Sequence, residues 1–167
     1  MEKSGFFNSS DGDRIYDATD FAAYFGSLVS NGVFYAASTN LQVTPGSGLA
    51  VSVAAGSAWV NGYRYENTGA LNMPLTTANG SNPRIDRIVV RLSQVSRSIH
   101  LAVVDGTPAA MPSAPALTRT SDVYELGIAD VLIPAAATSV AANNITDSRM
   151  NTNLCGLVNS LVTAVYE

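Results

Sequence analysis

Residues 84–92 read RIDRIVVRL and residues 98–105 read SIHLAVVD. Strand-forming residues dominate both runs, yet Arg84, Asp86, Arg87 and Arg91 sit inside the first. Setting Leu92 opposite Ile99 also sets Val90 opposite Leu101 and Ile88 opposite Val103. All six then share one face, as a one-sided core requires. The other face carries Arg87, Val89 and Arg91 beside His100, Ala102 and Val104. This consistency predicts a hairpin closed by SQVSRS. Asp86 falls opposite Asp105 at the strand start and needs a cation, which Arg84, Arg87 or Arg149 can supply. The expected outcome is a structural ion pair closing the end of the sheet, with Asp147 and Arg149 in the same ionic set.

Outward from this hairpin, the pattern stays β. Leu49, Val51 and Val53 alternate with small residues, and SAWVNGYRY follows at 57–65. Asn61-Gly62 is a strong hairpin signal, because a type I′ turn needs positive φ at both positions. That register sets Trp59 opposite Arg64, within reach of a cation–π contact. Residues 74–84 read as loop, and GTPAAMPSAPALTRT (106–120) as an extended proline-rich connection. VYELGIADVLI (123–133) reads as a strand buried on both sides and ended by Pro134.

Helical spacing occurs only near the two ends. Phe21, Tyr24, Phe25, Leu28 and Val29 form one apolar face over residues 17–32. Asp17 is the expected N-cap, Asp20 suits the helix dipole, and Asn31-Gly32 is the expected stop. Leu154, Leu157, Val158, Leu161, Val162 and Val165 keep helical spacing over 151–167, although Gly156 weakens that helix. Each apolar face has two readings, docking on the chain's own sheet or on another subunit. The expected fold is mainly β with flanking helices. It is an antiparallel β-sandwich (39–150) between an N-terminal arm with an amphipathic helix (1–38) and a C-terminal helix (151–167), all in one compact domain.

Composition narrows the functions. The chain has 167 residues, a net charge of −4, 47% hydrophobic and only 13% charged residues. That balance opposes disorder, and the scattered cations offer no stripe for a phosphate backbone, so nucleic acid is a poor partner. No apolar run approaches the roughly 18 residues that span a bilayer, and the N-terminus lacks an apolar signal segment. His100, the single histidine, falls mid-strand opposite Arg91, and no nucleophile motif accompanies it. Cys155 reads as a small buried hydrophobe, and one cysteine with one histidine cannot assemble a zinc site. Asp11, Asp13 and Asp17 in DGDRIYD lack the oxygen ligand and glycine of a calcium loop and read as a turn leading into a helix cap. TPGSG (44–48) precedes a strand, so it presents no helix N-terminus to phosphate. No cofactor is expected.

Several stretches, in order, resemble a family of bacteriophage tail and baseplate structural proteins, often prophage-encoded. They include GDRIYDATDFAAYFGSLVSNGVF (12–34), WVNGYRY (59–65), RIDRIV (84–89), APALTRT (114–120), YELGIADV (124–131) and ITDSR (145–149). The ordered combination spans nearly the whole chain and is more specific than any single piece. The resemblance implies a module similar to the N-terminal attachment part of tail fibres and baseplate receptor-binding components. It implies a non-enzymatic virion protein, made in the host cytoplasm, that docks to other tail proteins and self-associates, with a trimer as the first expectation. Larger members continue past the ITDSR region into fibre or host-recognition domains. A carbohydrate-binding module is the alternative, with Trp59, Tyr63 and Tyr65 as stacking candidates. A hydrolase built around His100 is the third reading.

Overall fold

The structure, a computed structural model, describes residues 2, 4–35 and 39–162. One helix, α1 (Ala18–Leu28), precedes ten strands among the described residues. They are β1 (Gly32–Val33), β2 (Val43–Pro45), β3 (Ala50–Val53), β4 (Gly56–Val60), β5 (Tyr63–Asn67), β6 (Leu71–Pro74), β7 (Arg84–Ser93), β8 (Ser98–Val104), β9 (Val123–Ile133) and β10 (Ile145–Asp147). They form three antiparallel sheets, ordered β1-β4-β5, β2-β3-β6 and β10-β9-β7-β8. Val33 and Val60 of the first, Val51 and Met73 of the second, and Ile88, Leu126 and Val131 of the third meet in one hydrophobic core. The fold is mainly β and sandwich-like.

The β7–β8 hairpin has the register that its apolar alternation demands, with Leu92 opposite Ile99, Val90 opposite Leu101 and Ile88 opposite Val103. On its other side β7 pairs with β9, and the ladder slips by one residue at a β-bulge. Ile88 faces Ala129 and Val89 faces Gly127, so Ile128 is the extra residue. A bulge turns the following residues to the opposite face. Both faces of this strand pair are covered, since Val89 and Ile128 are each 0% exposed.

Asn61 and Gly62 hold φ of 49° and 82°, as a type I′ turn requires, and Trp59 lies opposite Arg64. Asn31 accepts from the Asn61 amide at 2.6 Å and donates to its side chain at 2.8 Å. The turn is also where α1 docks. A Cβ at Gly62 would overlap the Ala22 backbone, so the absent side chain permits the approach. Asp17 caps the helix, accepting from the amides of Thr19 and Asp20, while Asp20 accepts from the Asp17 amide.

Two helical expectations are corrected. First, α1 ends at Leu28 instead of running to Asn31-Gly32. Val29 is already extended and bridges Ser160, and Gly32 belongs to β1. Second, there is no helix across 151–162. These residues make a turn and then lie along β1, with Val33 donating to Gly156 O at 2.9 Å and Val158 donating to Val33 O at 3.0 Å. Gly156 takes φ of 84°, which breaks helical continuity, and the open edge of β1 takes the backbone groups that a helix would use internally. Leu154, Leu157 and Val158 are therefore half-buried on the chain's own body, while Leu161 and Val162 are exposed. Val165 lies outside the described residues.

Gly62→Ala combines a left-handed backbone with overlap on Ala22. It is expected to lower the free energy of urea unfolding by about 2–4 kcal/mol. An unchanged denaturation midpoint would show that α1 does not depend on this close approach.

Candidate functional site

Charges cluster on both faces of β7, and they behave differently there. On the core side, Arg84 and Asp86 sit two residues apart and therefore point the same way. The Arg84 Nε–Asp86 Oδ1 distance is 2.8 Å, and the two side chains are 4% and 0% exposed. Arg84 also donates to the carbonyls of Thr76 and Thr77, and Asp86 accepts from the Gly106 amide at 2.8 Å. Thus Arg84 takes the cation role beside Asp86. This pair closes one end of the core and anchors the segments after β6 and β8.

On the opposite face, Arg87 forms a fork with Asp130 at 2.6 and 2.9 Å, and Arg91 meets Glu125 at 2.6 Å. Both are cross-strand pairs between β7 and β9. The proline-rich connection covers them. Pro115 O accepts from Arg87, and the Thr118 amide donates to the second oxygen of Glu125 at 2.7 Å. Glu125 is only 1% exposed. Reading β7 and β8 alone leaves out both carboxylates, because Asp130 is 43 residues from Arg87 and Glu125 is 34 from Arg91. These paired and covered groups are framework.

The ITDSR stretch is a clamp. β10 pairs with β9, and the Ser148 amide donates to Ile128 O at the bulge. Arg149 grips both oxygens of Asp147, the shortest contact being 2.6 Å, and donates to Asn40 O at 2.7 Å. The Arg149 hydrogen bonds hold the Asp147 carboxyl below its usual range despite partial burial. Next to it, burial pushes the Cys155 thiol up to about 12, so it stays protonated at neutral pH.

The aromatic groups behave differently. α1 turns Ala22 and Gly26 toward the hairpin and leaves its aromatic residues outside. Phe21, Tyr24 and Phe25 are 47%, 48% and 41% exposed. The N-terminal arm crosses this face: Phe6 lies 5.0 Å from Tyr24, 5.4 Å from Phe21 and 5.3 Å from Tyr16, ring centre to ring centre. The array continues through Phe25 to Trp59 at 5.8 Å and on to Phe34. The Trp59 indole N–H is buried with no acceptor among the described residues. Phe6 itself has φ of 64°, rare for an aromatic residue.

Other sequence candidates fall elsewhere. Among the described residues the cation–π contacts are Arg14 over Phe7 and Arg119 over Tyr124, while Arg64 pairs with Glu66 instead of Trp59. Trp59 therefore stands apart from Tyr63 and Tyr65, which line a cleft on the other side of β5. His100 is exposed opposite Arg91. Asp13 accepts from the Ser10 amide in a turn, and Asp17 serves as the helix cap. Among the described residues no helix is long and apolar enough to cross a membrane, and no three metal-ligating side chains converge.

Two outcomes follow from the ionic network. Asp86→Ala strands a buried guanidinium and is expected to cost about 3–5 kcal/mol in urea unfolding, whereas Arg64→Ala, at an exposed pair, costs less than about 1 kcal/mol. Equal effects would show that burial does not distinguish them. Because the Asp147 carboxyl is depressed in the folded state, its contribution is present above the unfolded value of about 4 and disappears as pH falls through the folded one. The stability gap between the native chain and Asp147→Asn is therefore expected to be constant near neutrality and to narrow below about pH 4. A gap that widens on acidification contradicts this assignment.

Comparison with protein-family models, curated proteins and solved structures finds no match to this chain.

Proposed function

We propose that this chain is a non-enzymatic structural component of a phage tail or baseplate, resident in the virion. In this reading it docks onto neighbouring tail proteins and associates with copies of itself, a trimer being the first expectation. The observation that carries the reading is the aromatic face of α1. Seven aromatic rings form a continuous array around α1, from Tyr16 and Phe6 through to Trp59 and Phe34, and Phe6, Phe21, Tyr24 and Phe25 are each more than 40% exposed. Contiguous exposed apolar surface on a folded chain marks an interaction site, and aromatic residues are enriched where such sites carry binding energy. Leu161 donates its amide to Leu28 O at the end of α1, so exposed Leu161 and Val162 extend the same side of the molecule.

The β body suits this role. Ala58 and Val60 anchor the Asn61-Gly62 hairpin in the hydrophobic core, and α1 packs against that hairpin. The ordered motifs that resemble tail and baseplate proteins supply the setting, and the exposed aromatic face supplies the means of contact. The self-association expected of a C-terminal helix passes in this reading to α1 and the arm.

Light scattering after size exclusion at micromolar concentration tests the proposal. The native chain is expected to run as a trimer, and the double substitution Phe21→Ser with Tyr24→Ser as a monomer with an unchanged urea midpoint. A native monomer that captures no neighbouring tail protein would remove the assembly role, and a trimer that survives both substitutions would move the contact away from α1.

A further inference from the structure

A cleft of about 680 Å³, open to solvent, lies between the edge strand β5, the start of α1 and the β7–β8 turn. This lies within the size range of small-ligand sites. Its lining combines two aromatic rings with uncommitted polar groups. Tyr63 and Tyr65 alternate with Arg64 along β5, so they share one face, about 7 Å apart. Both rings are half-buried and rest against the hydrophobic core. Neither phenol hydroxyl bonds to a described residue. Burial raises the Tyr65 phenol above its ordinary value, so it remains a donor at neutral pH.

The turn contributes Gln94 and Arg97. Arg97 takes φ of 51°, a left-handed conformation that glycine or asparagine occupies with less strain. Its guanidinium has no acidic partner among the described residues, unlike Arg84, Arg87 and Arg91 of the adjoining strand. Arg64, also at the cleft, is already matched by Glu66 at 2.8 Å. The site thus offers two apolar ring surfaces, several neutral hydrogen-bonding groups and one unmatched planar cation.

We infer that this cleft binds a short oligosaccharide carrying a carboxylate, such as a uronic acid unit. The tyrosine rings pack against the apolar faces of pyranose rings. Their hydroxyls and the Gln94 amide bond to sugar hydroxyls. Arg97 holds the carboxylate through the paired donors of its guanidinium, a geometry that a point charge does not supply. Trp59, on the other face of its hairpin, takes no part. The site is independent of the aromatic face of α1, so either role stands without the other.

An array displaying uronate-containing and neutral oligosaccharides, followed by calorimetric titration of the intact chain with the best uronate binder, tests the inference. Saturable uronate binding is expected, weakened about tenfold or more by Arg97→Gly and by Tyr65→Ala. Arg97→Gly relieves the left-handed strain, so its urea midpoint is expected to equal or exceed that of the native chain, and lost binding then cannot be lost folding. Its oligomeric state is expected to match the native one, which separates this site from assembly. Three results overturn the inference: no saturable binding on the array, neutral sugars bound as tightly as uronates, or uronate binding unchanged by Arg97→Gly.

Discussion

Much of the structure depends on one extra residue in β9. Arg87 and Arg91 are four residues apart and point the same way, whereas Glu125 and Asp130 are five apart and in an unbroken strand would face opposite sides. The bulge at Ile128 reverses the alternation between them, so both carboxylates meet their arginines on one face. At the bulge, the side of β9 away from β7 bonds to the segment that follows β9. Ile128 O accepts from Ser148, and Gly127 donates to Leu154 O. Arg119, from the proline-rich cover, also reaches Leu154 O at 2.9 Å. The ionic face, its cover and the chain end therefore all gather around one slip in register.

This arrangement explains why so many charges can sit in a chain with so few. A buried ion pair is not a strong net stabiliser, because desolvating both partners offsets much of their attraction. It is demanding, however: each group must find its partner or the structure loses several kcal/mol. Arg84, Arg87 and Glu125 each also bond to backbone in a neighbouring segment. They dictate where the connections after β6 and β8 must lie, and so help to select a single arrangement of the three sheets. The aromatic residues near α1 carry no such internal obligation. They stay at the surface, where the proposed assembly role uses them.

Local rules account for several features. Asn61-Gly62 permits one tight turn, Asp17 and Asp20 form a reciprocal cap, and the apolar alternation of 84–105 admits one register. Each depends on residues close in sequence. Where distant segments compete, local reading loses force. The apolar spacing from Leu154 to Val162 is compatible with a helix, yet the unpaired edge of β1 captures that backbone. The face of α1 is likewise decided at a distance. Ala22 and Gly26 are the small residues that lie against the hairpin turn, and this orientation leaves the larger aromatic side chains outward.

The candidate sites divide in the same way. That Asp86 needs a cation is legible in RIDRIVVRL, because a carboxylate on an apolar strand cannot remain charged alone. Sequence also shows that Tyr63 and Tyr65 share a face, since a strand alternates with period two. Sequence does not show that the 93–98 turn closes over those tyrosines, or that Arg84 outcompetes Arg87 for Asp86. Amino-acid order by itself determined the β4–β5 and β7–β8 hairpins, strand β9, the α1 cap and the need for charge pairing, all of which follow from rules that act within a few residues. Tertiary structure alone decided which partner each charge found, which face of α1 met solvent and where the chain end lay. Those outcomes depend on which surfaces and unpaired backbone groups distant segments bring within reach.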